Sequence, residues 1–242
     1  MTSIPFNRAN IDVSDRALLA TAIENGHISG NGAFTKQAES SLQDSLGVGR
    51  VLLTTSCTHA LEMSALLTKV GPGDEVIVPS FTFVSSASAF LLFGATPIFV
   101  DVEQNSLNID PIALEKAITP RTKAICVVHY GGIAANLDKI LEIAKEHKLA
   151  VIEDNAHGLF STYKGKPLGG FGNLATQSFH ETKNITCGEG GALLINDESL
   201  VERAEILREK GTDRTKFLRG QVDKYTWVDV GSSWVMSDML AA

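Results

Sequence analysis

Five short apolar runs carry no polar alternation: Val51-Leu52-Leu53, Glu75-Val76-Ile77-Val78, Pro97-Ile98-Phe99-Val100, Lys123-Ala124-Ile125-Cys126-Val127-Val128 and Leu149-Ala150-Val151-Ile152. A strand with one face in water alternates, whereas a strand covered on both faces does not. Between the runs lie segments with helical spacing, at residues 58–70, 82–93, 111–118 and 137–147. Strands and helices in this order specify an α/β fold with a mostly parallel central sheet covered by helices. Upstream, Ser14 can cap a helix running to Ile23 and stopped by Asn25-Gly26, and a second helix ends at Gly47. After Gly172 the pattern changes. A strand runs to Phe179, a polar turn holds Lys183, a second strand covers residues 191–195, and a charged helix covers residues 199–210.

Parallel sheets bind ligands at the carboxyl ends of their strands. Polar or glycine-containing segments fall at four such ends: residues 54–59, 79–83, 129–132 and 154–157. Asp154 closes the fifth apolar run, and Lys183 follows in Ser178-Phe179-His180-Glu181-Thr182-Lys183-Asn184. A lysine amine can hold the aldehyde of pyridoxal phosphate, and a carboxylate can keep its pyridine nitrogen protonated. Each residue alone also reads as a surface lysine or a turn aspartate. Thr54-Thr55-Ser56-Cys57-Thr58-His59-Ala60 joins a strand to a helix start, where backbone amides can cradle a phosphate. The simpler reading there is a helix cap by Ser56 or Thr58. No Gly-Lys-Ser/Thr follows, so this is not a nucleotide P-loop, and Gly188-Glu189-Gly190-Gly191 reads as a tight turn between strands. Phe83 can stack on a planar ring or pack in the core. His59, His129 and His157 come from separate segments without the close spacing of a zinc site, and no metal is expected. His180 reads most simply as packing under the lysine turn.

With 242 residues, 44% hydrophobic and 20% charged, the chain reads as one globular domain of ordinary to large size. A net charge of −7 supplies no basic stripe for nucleic acid. Three well-separated cysteines, Cys57, Cys126 and Cys187, form neither a disulfide framework nor CxxC spacing, which suits a reducing cytoplasm. The N-terminus lacks an apolar signal core, and no stretch is long and apolar enough to span a bilayer.

Ser56-Cys57-Thr58, Pro79-Ser80-Phe81-Thr82-Phe83, Glu153-Asp154-Asn155-Ala156-His157 and the Ser178 to Asn184 stretch occur in an order that resembles the DegT/DnrJ/EryC1/StrS nucleotide-sugar aminotransferases. The resemblance runs from Ile4-Pro5-Phe6-Asn7 to Met236-Ser237-Asp238. It implies the large domain of a fold-type-I pyridoxal-phosphate transferase spanning residues 1–242, with the family's small C-terminal domain largely missing. It also implies roles. Lys183 would hold the cofactor and shuttle the proton, Asp154 would pair with the pyridine nitrogen, and His157 would sit near the phenolic oxygen. Phe83 would stack on the ring, while Ser178, Cys57 (through its backbone) and Thr58 would hold the phosphate. Ser233, in Gly231-Ser232-Ser233-Trp234, stands where relatives reach the phosphate of a neighbouring subunit, so a homodimer is implied. Residues 179–184, 210–214 and 223–227 resemble the branch that aminates dTDP-4-keto-6-deoxyglucose for surface polysaccharide, with glutamate as amino donor. Two other readings are a sugar dehydratase, whose members carry His in place of the lysine, and a non-catalytic remnant that binds a full-length subunit.

Overall fold

The computed structural model describes residues 3–242. Helices α1 (Val13–Glu24) and α2 (Ala33–Leu46) precede β1 (Arg50–Thr54), α3 (Cys57–Leu67), β2 (Glu75–Pro79), α4 (Ser85–Leu91) and β3 (Thr96–Val100). Then come α5 (Pro111–Ala117), β4 (Thr122–Val128), α6 (Leu137–His147) and β5 (Ala150–Asp154). A small hairpin of β6 (Thr162–Tyr163) and β7 (Lys166–Pro167) leads to β8 (Leu174–Ser178) and β9 (Gly191–Ile195). Helices α7 (Val201–Arg208), α8 (Arg214–Leu218) and α9 (Asp238–Ala241) follow.

One seven-stranded sheet organises the molecule, in the order β1-β9-β8-β5-β4-β2-β3. Pairings among β8, β5, β4, β2 and β3 are all parallel. The run at β3 is not covered on both faces as expected, because β3 is an edge strand and Phe99 is 59% exposed, and the run at β1, on the other edge, pairs within the sheet only with the antiparallel β9. The exception is β9, which lies antiparallel between β1 and β8. Successive strand residues face opposite layers. Leu52, Val78, Cys126, Ile152 and Leu193 pack with Met63 and Phe90 on one face. Ile77, Ile125, Val127 and Val151 meet Leu137, Ile140 and Ile143 of α6 on the other, and Val51, Leu53 and Leu194 meet Leu46 of α2. Buried residues at 137, 140, 143 and 144 give α6 the apolar stripe its spacing predicts.

Three local expectations change. The first helix is capped by Asp12, not Ser14, because the Asp12 carboxylate accepts from the Ser14 and Asp15 amides while Asp15 returns a bond to the Asp12 amide. The segment expected to be helical over residues 82–93 is helical only in α4. Its start is delayed because the Ser80 amide donates to the Val100 carbonyl, holding the chain against β3 after the strand ends. At its far end Gly94 adopts φ +86°. The charged helix expected over residues 199–210 opens as a 3₁₀ turn at Glu198–Leu200 before α7 begins.

Gly191 shows why glycines crowd the end of the lysine turn. A Cβ there would lie 2.3 Å from the Cys57 amide nitrogen and 2.4 Å from the Ser56 carbonyl carbon. The first residue of β9 is thus pressed against the start of α3. No described helix is long and apolar enough to cross a membrane.

Candidate active site

The carboxyl ends of β1, β2, β4, β5 and β8 open into one cavity of about 640 Å³. Cys57, Thr58, Phe83, Asp154, His157, Ser178 and Lys183 all line it, although they come from four separate stretches of sequence. Ser233 does not. It is exposed and forms a bridge with Glu209 outside the pocket. Among the described residues no cluster of three His, Cys, Asp or Glu could hold a metal ion.

Asp154, the last residue of β5, is 5% exposed. Its Oδ2 accepts from Ser86 Oγ at 2.6 Å, and its Oδ1 accepts from the Ala156 amide at 3.2 Å. Thr82 Oγ1 in turn donates to Ser86 Oγ at 2.7 Å. The Thr82–Ser86 relay escaped sequence reading because a serine beside a helix start looks like a cap. One position downstream of the strand end, Asn155 points the other way. Its Nδ2 donates to the Leu168 carbonyl, so this polar residue adds nothing to the pocket wall.

Lys183 is half-buried on the turn that joins β8 to β9. Burial pulls its ammonium below the usual lysine range, opposed by the Cys57 and Asp154 groups nearby. A lowered lysine pKa raises the fraction of nucleophilic free amine. Its neighbour His180 is not packed under the turn. It stands part-exposed at the pocket rim, with Nδ1 2.9 Å from Thr182 Oγ1 and Nε2 3.6 Å from Glu189.

At the start of α3, Ser56 is the cap and accepts from the His59 amide at 3.1 Å. The Cys57 and Thr58 amides precede the first intrahelical bond and remain open to an anion. The Cys57 thiol turns inward, 3.4 Å from Thr176 Oγ1, and burial, reinforced by Asp154, drives its pKa far up. Cys57 therefore offers backbone and not sulfur. Thr58 Oγ1 is 2.8 Å from Ser85 Oγ, and buried Ser178 stands opposite at the end of β8.

His157 forms one wall. Its Nδ1 accepts from the Gly131 amide at 3.1 Å, and its ring meets Tyr130 edge-on with centroids 5.4 Å apart. Burial and the Lys183 charge hold its imidazole below the ordinary histidine range, against an upward pull from Asp154. Phe83 is 72% exposed at the mouth, so it is not a core residue. Tyr130 also meets Phe81, with the rings tilted by 47° and their centroids 4.5 Å apart. The N-terminal segment crosses the rim, where Asn7 Nδ2 donates to the Glu181 carbonyl at 2.9 Å.

The chain as a whole matches a known group of proteins. Residues 9–242 fit the DegT/DnrJ/EryC1/StrS aminotransferase family. The chain belongs to that family.

Among its relatives is the spore coat polysaccharide biosynthesis protein SpsC of Bacillus subtilis, 38% identical over 216 residues, covering 89% of this chain and 55% of SpsC. GDP-perosamine synthase of Caulobacter vibrioides is 38% identical over 232 residues, covering 96% of this chain and 61% of the synthase. A Streptococcus pneumoniae protein described as a sugar aminotransferase and solved in its PMP form superposes with a TM-score of 0.91 at 30% identity. That match covers 99% of this chain and 65% of the other. The fold is therefore that of the pyridoxal-phosphate-dependent sugar aminotransferases. The chain spans 55% and 61% of the length of the two curated relatives it matches.

Proposed function

We propose that residues 1–242 form the cofactor-binding large domain of a pyridoxal-phosphate-dependent aminotransferase acting on a nucleotide-linked keto-deoxysugar in surface polysaccharide biosynthesis. The observation that carries this reading is the sharing of one cavity by the Lys183 amine, the Asp154 carboxylate and the open N-terminus of α3. The residues fit the cofactor by their chemistry. The Cys57 and Thr58 amides, with Ser178, are donors suited to a phosphate at a positive helix end. Asp154 is a buried carboxylate held by Ser86 and suited to a protonated ring nitrogen. Lys183 is the only lysine or arginine lining the cavity among the described residues. His157 would donate to the phenolic oxygen, and Phe83 would cover the ring face.

When bound, the cofactor supplies an electron sink for the substrate carbon that loses its proton. Lys183 would take that proton and return it to the neighbouring carbon, a task favoured by its lowered pKa. Asp154 would keep the ring nitrogen protonated, and the walls formed by Tyr130, His157 and Phe83 would exclude water. We propose glutamate as amino donor and dTDP-4-keto-6-deoxyglucose as acceptor. Ser233, exposed outside its own pocket, would serve the phosphate of a second copy in a homodimer. A dehydratase reading is disfavoured by Lys183 itself.

The test is spectroscopic. Pyridoxal phosphate added to the protein should give the visible band of a lysine-bound cofactor, absent in Lys183→Ala and bleached by glutamate. A folded wild-type protein that gives no band refutes the proposal. The dTDP- and GDP-linked keto sugars, offered in turn, distinguish the acceptor, and turnover of the GDP sugar alone would replace the dTDP assignment.

A further inference from the structure

The cavity wall rests on a buried carboxylate–imidazole pair that none of the roles above uses. Glu153, next to Asp154 on β5, and His129, just after β4, are both fully buried, with Glu153 Oε2 2.9 Å from His129 Nε2. Three further donors surround the carboxylate. The Gly169 amide lies 3.0 Å from Oε2, and the Phe171 and Gly172 amides lie 2.8 and 2.7 Å from Oε1. Glu153 is thus an acceptor on every side.

That arrangement fixes the state of the histidine. An amide nitrogen can only donate, and the Ala135 amide donates to His129 Nδ1 at 3.2 Å. The ring proton must then sit on Nε2, where Glu153 accepts it, so His129 is neutral and of one tautomer. The same residue ties down the turn it begins. Its amide donates to the Asp154 carbonyl, its carbonyl accepts from the Gly132 amide, and its ring holds Ala135. Gly132 packs so closely that an added Cβ would lie 3.1 Å from the His157 carbonyl oxygen. On this turn the Gly131 amide donates to His157 Nδ1. By the same logic, a neutral His157 carries its proton on Nε2.

We propose that Glu153 and His129 are positioning residues: through the turn at residues 129–135 they aim the Gly131 amide at His157 and so set which imidazole nitrogen is a donor in the pocket. The consequence for chemistry rests on the aminotransferase reading. A His157 locked as an Nε2–H donor can meet an anionic oxygen of a bound ring without adding a second cation beside Lys183. The tautomer claim itself concerns the protein alone and is read without cofactor.

Nitrogen-15 NMR of the histidine side chains in the wild-type protein tests it at about pH 8, above the ordinary imidazole pKa. Both His129 and His157 should show the Nε2-protonated pattern. An Nδ1-protonated or charged His129 overturns the proposal at once. His129→Gln keeps one acceptor and one donor at comparable reach and should preserve the His157 pattern. His129→Leu should abolish it, leaving His157 with mixed tautomers. If His129→Leu loses stability yet His157 keeps its wild-type pattern, the pair is merely structural and the proposal fails. If His129→Leu does not fold, loss of the pattern in His129→Gln refutes the proposal and its retention supports it. Because no readout requires a visible cofactor band, failure here is separable from failure of the aminotransferase reading.

Discussion

Gly191→Ala is the sharpest test of how the phosphate cradle is built. The new methyl would sit 2.3 Å from the Cys57 amide nitrogen and 2.6 Å from the Ser56 carbonyl oxygen, more than an ångström and nearly an ångström inside ordinary contact. Every nearby atom is backbone, so no side chain can swing aside. Gly191 also pairs with Thr54 of β1 and Ser178 of β8, so moving it disturbs two ladders at once. Overpacking of this kind costs about 1–3 kcal/mol. The shift must also carry the open Cys57 and Thr58 amides away from Ser178. Loss of two charge-assisted bonds, each worth about 1.5–3 kcal/mol, should weaken pyridoxal phosphate binding by at least about a hundredfold. Urea unfolding of the cofactor-free protein gives the first quantity, and titration of the visible band gives the second. Gly188→Ala is the control, because its Cβ would meet nothing within 4 Å and only its φ of +89° is strained. If Gly191→Ala matches wild type in both measurements, the close approach of β9 to α3 does not shape the site.

Three further outcomes follow from the charges. Lys183 has a folded pKa below its unfolded value, so its burial destabilises the cofactor-free protein at neutral pH and the penalty fades as pH rises toward about 10.4. Lys183→Met should therefore stabilise the protein near neutrality, with no gain at strongly alkaline pH in chemical denaturation. His157 is also lowered, so the unfolded chain takes up its proton first on acidification. Stability should fall as pH drops below about 6.5, and His157→Gln should flatten that slope in pH-dependent melting. Arg208→Leu should cost about 3 kcal/mol, because Arg208 Nη1 lies 2.7 Å from Glu39 and both side chains are 5% exposed. The double replacement with Glu39→Leu should recover part of that loss in urea unfolding. Equal losses in single and double variants would contradict a buried pair.

The parallel strands were legible because burial on both faces removes polar alternation, as in Val76-Ile77-Val78 and Ile125-Cys126-Val127. The order of those strands was not, since nothing in Gly191-Ala192-Leu193-Leu194-Ile195 says that it runs antiparallel between β1 and β8. The hairpin of β6 and β7 escaped because strands of two residues leave no periodicity. At the site, Lys183 and Asp154 were readable as residue types with a known chemical task. Ser86 and Glu153 were not, for their meaning lies in partners 68 and 24 positions away. Asn155, beside Asp154 in sequence, turns away from the pocket to the Leu168 carbonyl, a partner 13 positions on.

The antiparallel strand also sets a schedule for the emerging polypeptide. β1 hydrogen-bonds to β9 as its strand partner, so its edge stays unpaired until about 140 more residues have been made. Over that interval Val51, Leu52 and Leu53 must be shielded by α2 and α3 or by a chaperone. The same late strand presses Gly191 against the start of α3 and closes the lysine turn. The pocket therefore cannot exist before the sheet is finished, and a nascent chain shorter than about 195 residues has no place to bind its cofactor.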